Sequence, residues 1–107
     1  MKTISPIDLL KKLEEGKVTI LDVRSEEKFA LGKLRHNNAK LVNIFKEDIF
    51  NLAVHENIQL PKNEEVIVTC TTGNSATKCT RILMEHGYDV TLLEGGMVQW
   101  NQDTKHL

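Results

Sequence analysis

The sequence is short of cysteines, aromatics and surplus charge, and each shortage closes off a class of function. Only two of its 107 residues are cysteines, Cys70 and Cys79, too few for a disulfide framework. Aromatic residues make up 5%, and 14 Lys and Arg against 15 Asp and Glu leave a net charge of -1. A polyanion binder needs clustered surplus cations, so nucleic acid is not an expected partner. Apolar runs such as Val66–Val68 fall far short of the roughly 20 residues of a membrane span. Met1–Leu10 contains Pro6 and Asp8 and has no long apolar centre, so no signal peptide is visible. These absences lead us to expect a cytoplasmic monomer that makes no membrane contact and keeps its thiols reduced.

The residues that are present read as one globular domain over 1–107, with its core over about 5–100. Hydrophobic residues make up 40% and charged residues 27%, the balance of a folded chain. Ser5-Pro6-Ile7-Asp8 is a helix start, with a capping hydroxyl, proline in the first turn and an acid three residues after the cap. Leu9, Leu10 and Leu13 form its apolar stripe, and Gly16 ends it. Val18–Val23 is a β-branched run that reads as a buried strand, as does Glu65–Thr69. Ala39–Ile44 and Asp89–Leu93 are further strands. Helices are expected over Glu26–Leu31, Lys46–His55 and Ser75–His86, with a last short one ending at Trp100. Pro61–Glu64 reads as a turn, and Asn101–Leu107 as a frayed end. Apolar strands alternating with helices specify an α/β fold whose parallel sheet is covered on both faces.

In such folds ligands sit beyond the carboxyl ends of the strands, which singles out the segment after Thr69. There Cys70-Thr71-Thr72-Gly73-Asn74-Ser75 joins the strongest strand to the strongest helix. Gly73 can take positive φ, and Asn74 tolerates left-handed geometry better than most residues. A short loop entering a helix directs several free N–H groups at one point, where the helix end adds positive potential. A cysteine placed there is favoured as the thiolate, its nucleophilic form. Thr71, Thr72 and Ser75 add hydroxyl donors.

Three motifs carry a resemblance to a known family. Leu21-Asp22-Val23-Arg24 with Glu27, Phe29 and Gly32-Lys33-Leu34 is the first. The Cys70–Asn74 loop, with glycine three positions after the cysteine, is the second. Gly87-Tyr88-Asp89-Val90, followed by Leu93-Glu94-Gly95-Gly96 and Trp100, is the third. In this order, over Ser5 to Trp100, they resemble the single-domain rhodanese family of sulfurtransferases. The resemblance implies a rhodanese-like fold, a five-stranded parallel sheet with helices on both faces. It implies that Cys70 is catalytic and carries a sulfane sulfur as a persulfide, with Thr71, Thr72, Gly73, Asn74 and Ser75 as the substrate-binding or anion-binding loop. It implies no metal and no cofactor beyond that persulfide. The partners it implies are a small sulfur donor such as thiosulfate, a thiol or cyanide-like acceptor, and a sulfur-relay protein.

The departures from the family pattern bear on the donor. The family's loop often has arginine five positions after the cysteine, where this chain has Ser75, and a more suitable polar residue where it has Thr71. Serine cannot reproduce the paired, charge-assisted bonds of a guanidinium, so weak affinity for thiosulfate is expected. A domain that kept the fold and serves as a binding or regulatory module is the alternative. A related phosphatase or arsenate reductase would need arginine six positions after the cysteine, where Ala76 stands. Cys79 reads as a packed core thiol and Lys78 as a solvated helix lysine. Asp22 and Arg24 read as a structural ion pair, Gly95-Gly96 as a tight turn, and Trp100 as the anchor of the last helix. His36, His55, His86 and His106 have no zinc-ligand spacing.

Overall fold

The fold is built on a parallel sheet whose central strands are apolar on both faces. The structure, a computed structural model, describes residues 1–52 and 58–107. The elements, in chain order, are β1 (Lys2–Ile4), α1 (Pro6–Glu15), β2 (Val18–Asp22), α2 (Glu26–Gly32), β3 (Ala39–Asn43), α3 (Lys46–Phe50), β4 (Val66–Thr69), α4 (Asn74–Glu85), β5 (Val90–Leu93) and α5 (Gly96–Thr104). Five strands form one sheet in the order β1-β5-β4-β2-β3, and every pairing is parallel.

Residues alternate between the two faces of the sheet. Val18, Ile20 and Ile67 join Leu9, Leu13, Met97 and Trp100 in a core beneath α1 and α5. Leu21, Val23, Val66, Val68 and Cys70 face the other way and join Ile49, Ala76, Cys79 and Leu83 beneath α3 and α4. Each fully buried Leu or Ile removes enough apolar surface from water to contribute roughly 2 kcal/mol. The alternation through β4 thus delivers the Cys70 side chain to the α4 face. Asp22 is in register with Thr69 on one side and Asn43 on the other, so β2, β3 and β4 end at one level.

Local signals account for most element boundaries. The Ser5 hydroxyl accepts the Asp8 N–H at 3.2 Å to cap α1. Ser25 accepts the Lys28 N–H at 3.3 Å to cap α2. Two expectations need correction, and one strand was not placed from the sequence. The strand β1 does not stand out in the sequence, because Lys2–Ile4 has no apolar run. It forms by backbone pairing of Lys2 with Thr91 and Ile4 with Leu93. The chain end is not frayed from Asn101. The buried Trp100 anchors α5, which continues to Thr104, and the Thr104 hydroxyl donates to the Trp100 carbonyl at 2.7 Å. α3 spans Lys46–Phe50, shorter than expected, with a turn at Asn51 and Leu52. The rest of the expected helix, 53–55, lies outside the described residues.

Candidate functional site

The site forms where β4 ends. Thr69 holds its place in the sheet by accepting the Val23 N–H at 3.0 Å, and Cys70 follows it, 5% exposed. The chain then turns back over the cysteine. Gly73 takes φ 103°, the left-handed region in which a Cβ is strained, and this turn aims its N–H at the Cys70 sulfur. The Gly73 N–H meets Sγ at 3.0 Å, and the Ala76 N–H, in the first turn of α4, meets it at 3.3 Å. These donors and the positive end of a twelve-residue helix are suited to holding negative charge on sulfur. Among the described residues only glycines have positive φ, so Asn74 does not use the left-handed freedom expected of it.

The loop is fixed from behind by the segment after β5. The Cys70 carbonyl accepts the Met97 N–H at 2.8 Å, and the Thr71 carbonyl accepts the Val98 N–H at 3.0 Å. Gly95-Gly96 is therefore more than a tight turn, because it brings α5 against the cysteine loop. Sequence order hides this contact, since the partners lie 27 positions apart.

A cavity of about 430 Å³ opens above the sulfur. Thr71, Thr72, Asn74 and Ser75 line one side, while Gly73 is buried behind them. All the loop residues singled out from the sequence thus surround Cys70, and Ala76, outside that set, supplies the second N–H. The segments that follow β2 and β3 also line the cavity and contribute Arg24, Lys28 and Lys46. The sequence reading placed little positive charge at the mouth. That holds for the loop but not for the cavity as a whole. The signal that could have found Lys28 and Lys46 is the same strand-end rule, applied to the segments after β2 and β3.

Arg24 is engaged elsewhere. Its Nε and Nη2 bond both Asp22 carboxylate oxygens at 2.7 to 3.1 Å, and Nη2 also reaches the Gly32 carbonyl at 3.1 Å. Asp22 is 2% exposed, so this is the buried structural pair the sequence suggested. Asn43 ties the strand ends together, its Nδ2 donating to the carbonyls of Asp22 and Arg24 at 3.0 Å each. Lys78 is not among the residues that line the cavity, and its Nζ lies 4.2 Å from the Phe50 ring centroid. Cys79 is fully buried. Burial, reinforced by the neighbouring Cys70, pushes its thiol up to about 12, which removes it as a nucleophile near neutral pH. Among the described residues no group of three His, Cys, Asp or Glu could hold a metal, and no helix is long and apolar enough to cross a membrane.

A parallel sheet with a cysteine cradled at the end of its central strand defines the class, and comparison with known proteins agrees. The rhodanese-like domain family matches residues 5–103, and the chain belongs to that family. It is 32% identical over 100 residues to the tRNA uridine(34) hydroxylase of Aster yellows witches'-broom phytoplasma, covering 92% of this chain and 32% of that protein. The chain thus spans about a third of the length of such relatives. The crystal structure of a rhodanese-like domain protein from Staphylococcus aureus superposes with a TM-score of 0.73 at 36% identity, covering 94% of this chain and 91% of that one. The human single-domain sulfurtransferase shares the fold, with a TM-score of 0.73 at 21% identity over 95% and 96% of the two chains.

Proposed function

We propose that this domain is a sulfurtransferase that moves sulfane sulfur through a persulfide on Cys70. The observation that carries the reading is the convergence of the Gly73 and Ala76 N–H groups on Cys70 Sγ at the floor of a cavity. In the first step the Cys70 thiolate attacks the outer sulfur of a donor. The donor's S–S bond breaks, its electron pair leaves with the remainder of the donor, and a Cys70–S–S⁻ anion forms. With thiosulfate the departing group is sulfite. In the second step an acceptor nucleophile, a thiolate or a cyanide-like anion, attacks the terminal sulfur and restores the Cys70 thiolate. No outside oxidant or reductant enters, and the persulfide is the only intermediate. The loop N–H groups serve both anions, because the charge moves by one S–S bond length from thiolate to persulfide.

The curated relatives are named for a tRNA hydroxylation, but the chemistry proposed here needs only residues within the shared third. A sulfur-relay protein is a fitting acceptor, and a cytoplasmic setting would keep both thiols reduced. The absence of a guanidinium from the Cys70 loop favours a second reading, a binding or regulatory module without turnover.

Intact-protein mass spectrometry separates the two. After exposure to a sulfane donor, the sulfurtransferase gains one sulfur atom, about 32 Da. Cys70→Ser abolishes the gain, and Cys79→Ser retains most of it. Loading that persists in Cys70→Ser would refute the assignment. A folded wild-type protein that loads from no donor would establish the module.

A further inference from the structure

The end of α4 that holds the Cys70 sulfur is built differently from the starts of α1 and α2. There a serine side chain caps the first turn, Ser5 onto the Asp8 N–H and Ser25 onto the Lys28 N–H. No side chain caps α4, whose cap position is Gly73. Two N–H groups at that end, those of Gly73 and Ala76, go to the sulfur instead. A glycine has no side chain by which neighbours can hold it, and its backbone turns freely. Its carbonyl is what remains to fix it.

Both donor residues are held at their carbonyls, and in the same way. The Thr77 hydroxyl donates to the Gly73 carbonyl at 2.7 Å, beside the Thr77 N–H at 2.9 Å. The Thr80 hydroxyl donates to the Ala76 carbonyl at 2.7 Å. Each residue that gives its N–H to the sulfur thus accepts a threonine hydroxyl from one turn further along. Each O–H points back toward the start of the helix, so its dipole adds to the positive potential there. Threonine serves the interior of a helix poorly on other grounds. It is stiff at χ1, and its bond to the carbonyl four residues back slightly weakens and bends the helix. Thr80 is also fully buried, where valine would fill the same shape with no hydroxyl to desolvate. Two threonines that cost the helix stability and serve the cradle point to a role at the cysteine.

We propose that Thr77 and Thr80 are positioning residues for Cys70: their hydroxyls hold Gly73 and Ala76 so that both N–H groups stay on the sulfur and favour its thiolate. The proposal deepens the sulfurtransferase reading above and rests on it for its meaning in turnover. Neither threonine lines the cavity, so both act through the backbone alone.

The test replaces each hydroxyl by a methyl group, which keeps the branched shape. Thr77→Val and Thr80→Val are compared with wild type and with Thr77→Ser and Thr80→Ser. Thr104→Val is the control, because it removes the same kind of bond, Thr104 to the Trp100 carbonyl at 2.7 Å, from α5. The readout is the pH–rate profile of iodoacetamide alkylation at Cys70, followed by peptide mass. A thiolate whose donors are less well aimed forms at higher pH. Each valine variant is therefore expected to shift the profile upward and to react about threefold more slowly at neutral pH, the low end of what one hydrogen bond contributes. At high pH, where the thiol is ionised in every variant, the rates should converge. The serine variants should stay near wild type, and Thr104→Val should keep the wild-type profile whatever its urea midpoint. Unmoved profiles in the valine variants, or an equal shift in Thr104→Val, would overturn the proposal. Alkylation needs no sulfur donor, so the two readings fail separately. Shifted profiles in a protein that loads no sulfur sustain the positioning role and remove sulfur transfer. Unmoved profiles with normal loading remove the positioning role and leave sulfur transfer standing.

Discussion

Gly96 lies against Cys70 so closely that a Cβ on the glycine would stand 2.5 Å from the Cys70 carbonyl oxygen and 2.7 Å from that of Thr71. Its φ of 61° is also left-handed. Backbone on both sides leaves nothing that can move aside cheaply. Gly96→Ala is therefore expected to destabilise the domain by about 2 kcal/mol or more, from left-handed strain plus overpacking. It should also slow sulfur loading, because the carbonyls it displaces belong to the loop that aims N–H groups at the sulfur. Urea denaturation and the mass assay on one preparation check both effects, and an unchanged unfolding midpoint would contradict the contact.

Gly73 separates strain from crowding. The nearest atom to a Cβ there would be the Gly95 nitrogen at 3.7 Å, ordinary contact, so φ 103° is the only obstacle. Gly73→Ala is expected to cost about 1–2 kcal/mol, less than Gly96→Ala. Its effect on loading should exceed its effect on stability, since the turn it strains presents the N–H nearest to Cys70 Sγ. Comparing the two variants by denaturation midpoint and loading rate tests that ordering.

The Asp22–Arg24 pair is expected to be structural. Removing the carboxylate leaves a guanidinium only 10% exposed without its partner, a loss of about 3–5 kcal/mol. Asp22→Ala should thus destabilise strongly, and a second change, Arg24→Leu, should recover part of the loss by removing the orphaned charge. A double variant no more stable than Asp22→Ala, measured by denaturant titration, would show that the pair is not what matters there.

Cys79 makes stability fall in alkali. Burial keeps its thiol protonated in the fold until about 12, against an ordinary value of 9.0. Between those values the unfolded chain has lost a proton that the folded chain keeps. Each pH unit in that window then favours unfolding by up to about 1.4 kcal/mol. Cys79→Ala lacks this contribution, so its stability should decline less steeply than that of wild type above pH 9.0. Parallel curves would contradict the burial. For the same reason iodoacetamide should spare Cys79 in the folded protein at pH 8 and modify it only after unfolding.

Much of the fold was legible because its signals are local. The apolar runs of β2 and β4 have no other stable place than the middle of a parallel sheet. Ser5 and Ser25 cap helices within three residues of their own position. Cys70 stood out because a strand ending four residues before a helix leaves few geometries for the loop between. The misses share one cause. The strand β1 has no pattern of its own and exists because β5 offers it an edge. α5 outran its expected end because Trp100 packs beneath α1. Lys46 was only the first residue of an expected helix until β3 was placed beside β2.

The sequence by itself determined the layers, the helix starts and the cysteine to watch, all set by near neighbours and by period-two burial. Tertiary structure alone decided what surrounds that cysteine. The strand order β1-β5-β4-β2-β3 brings segments that follow β2, β3, β4 and β5 to one edge of the sheet. There Asp22 neutralises Arg24, Lys28 and Lys46 line the cavity, and Gly96 locks the loop. The physical reason is that charge pairing and close backbone approach act through space, over distances that chain separation does not measure.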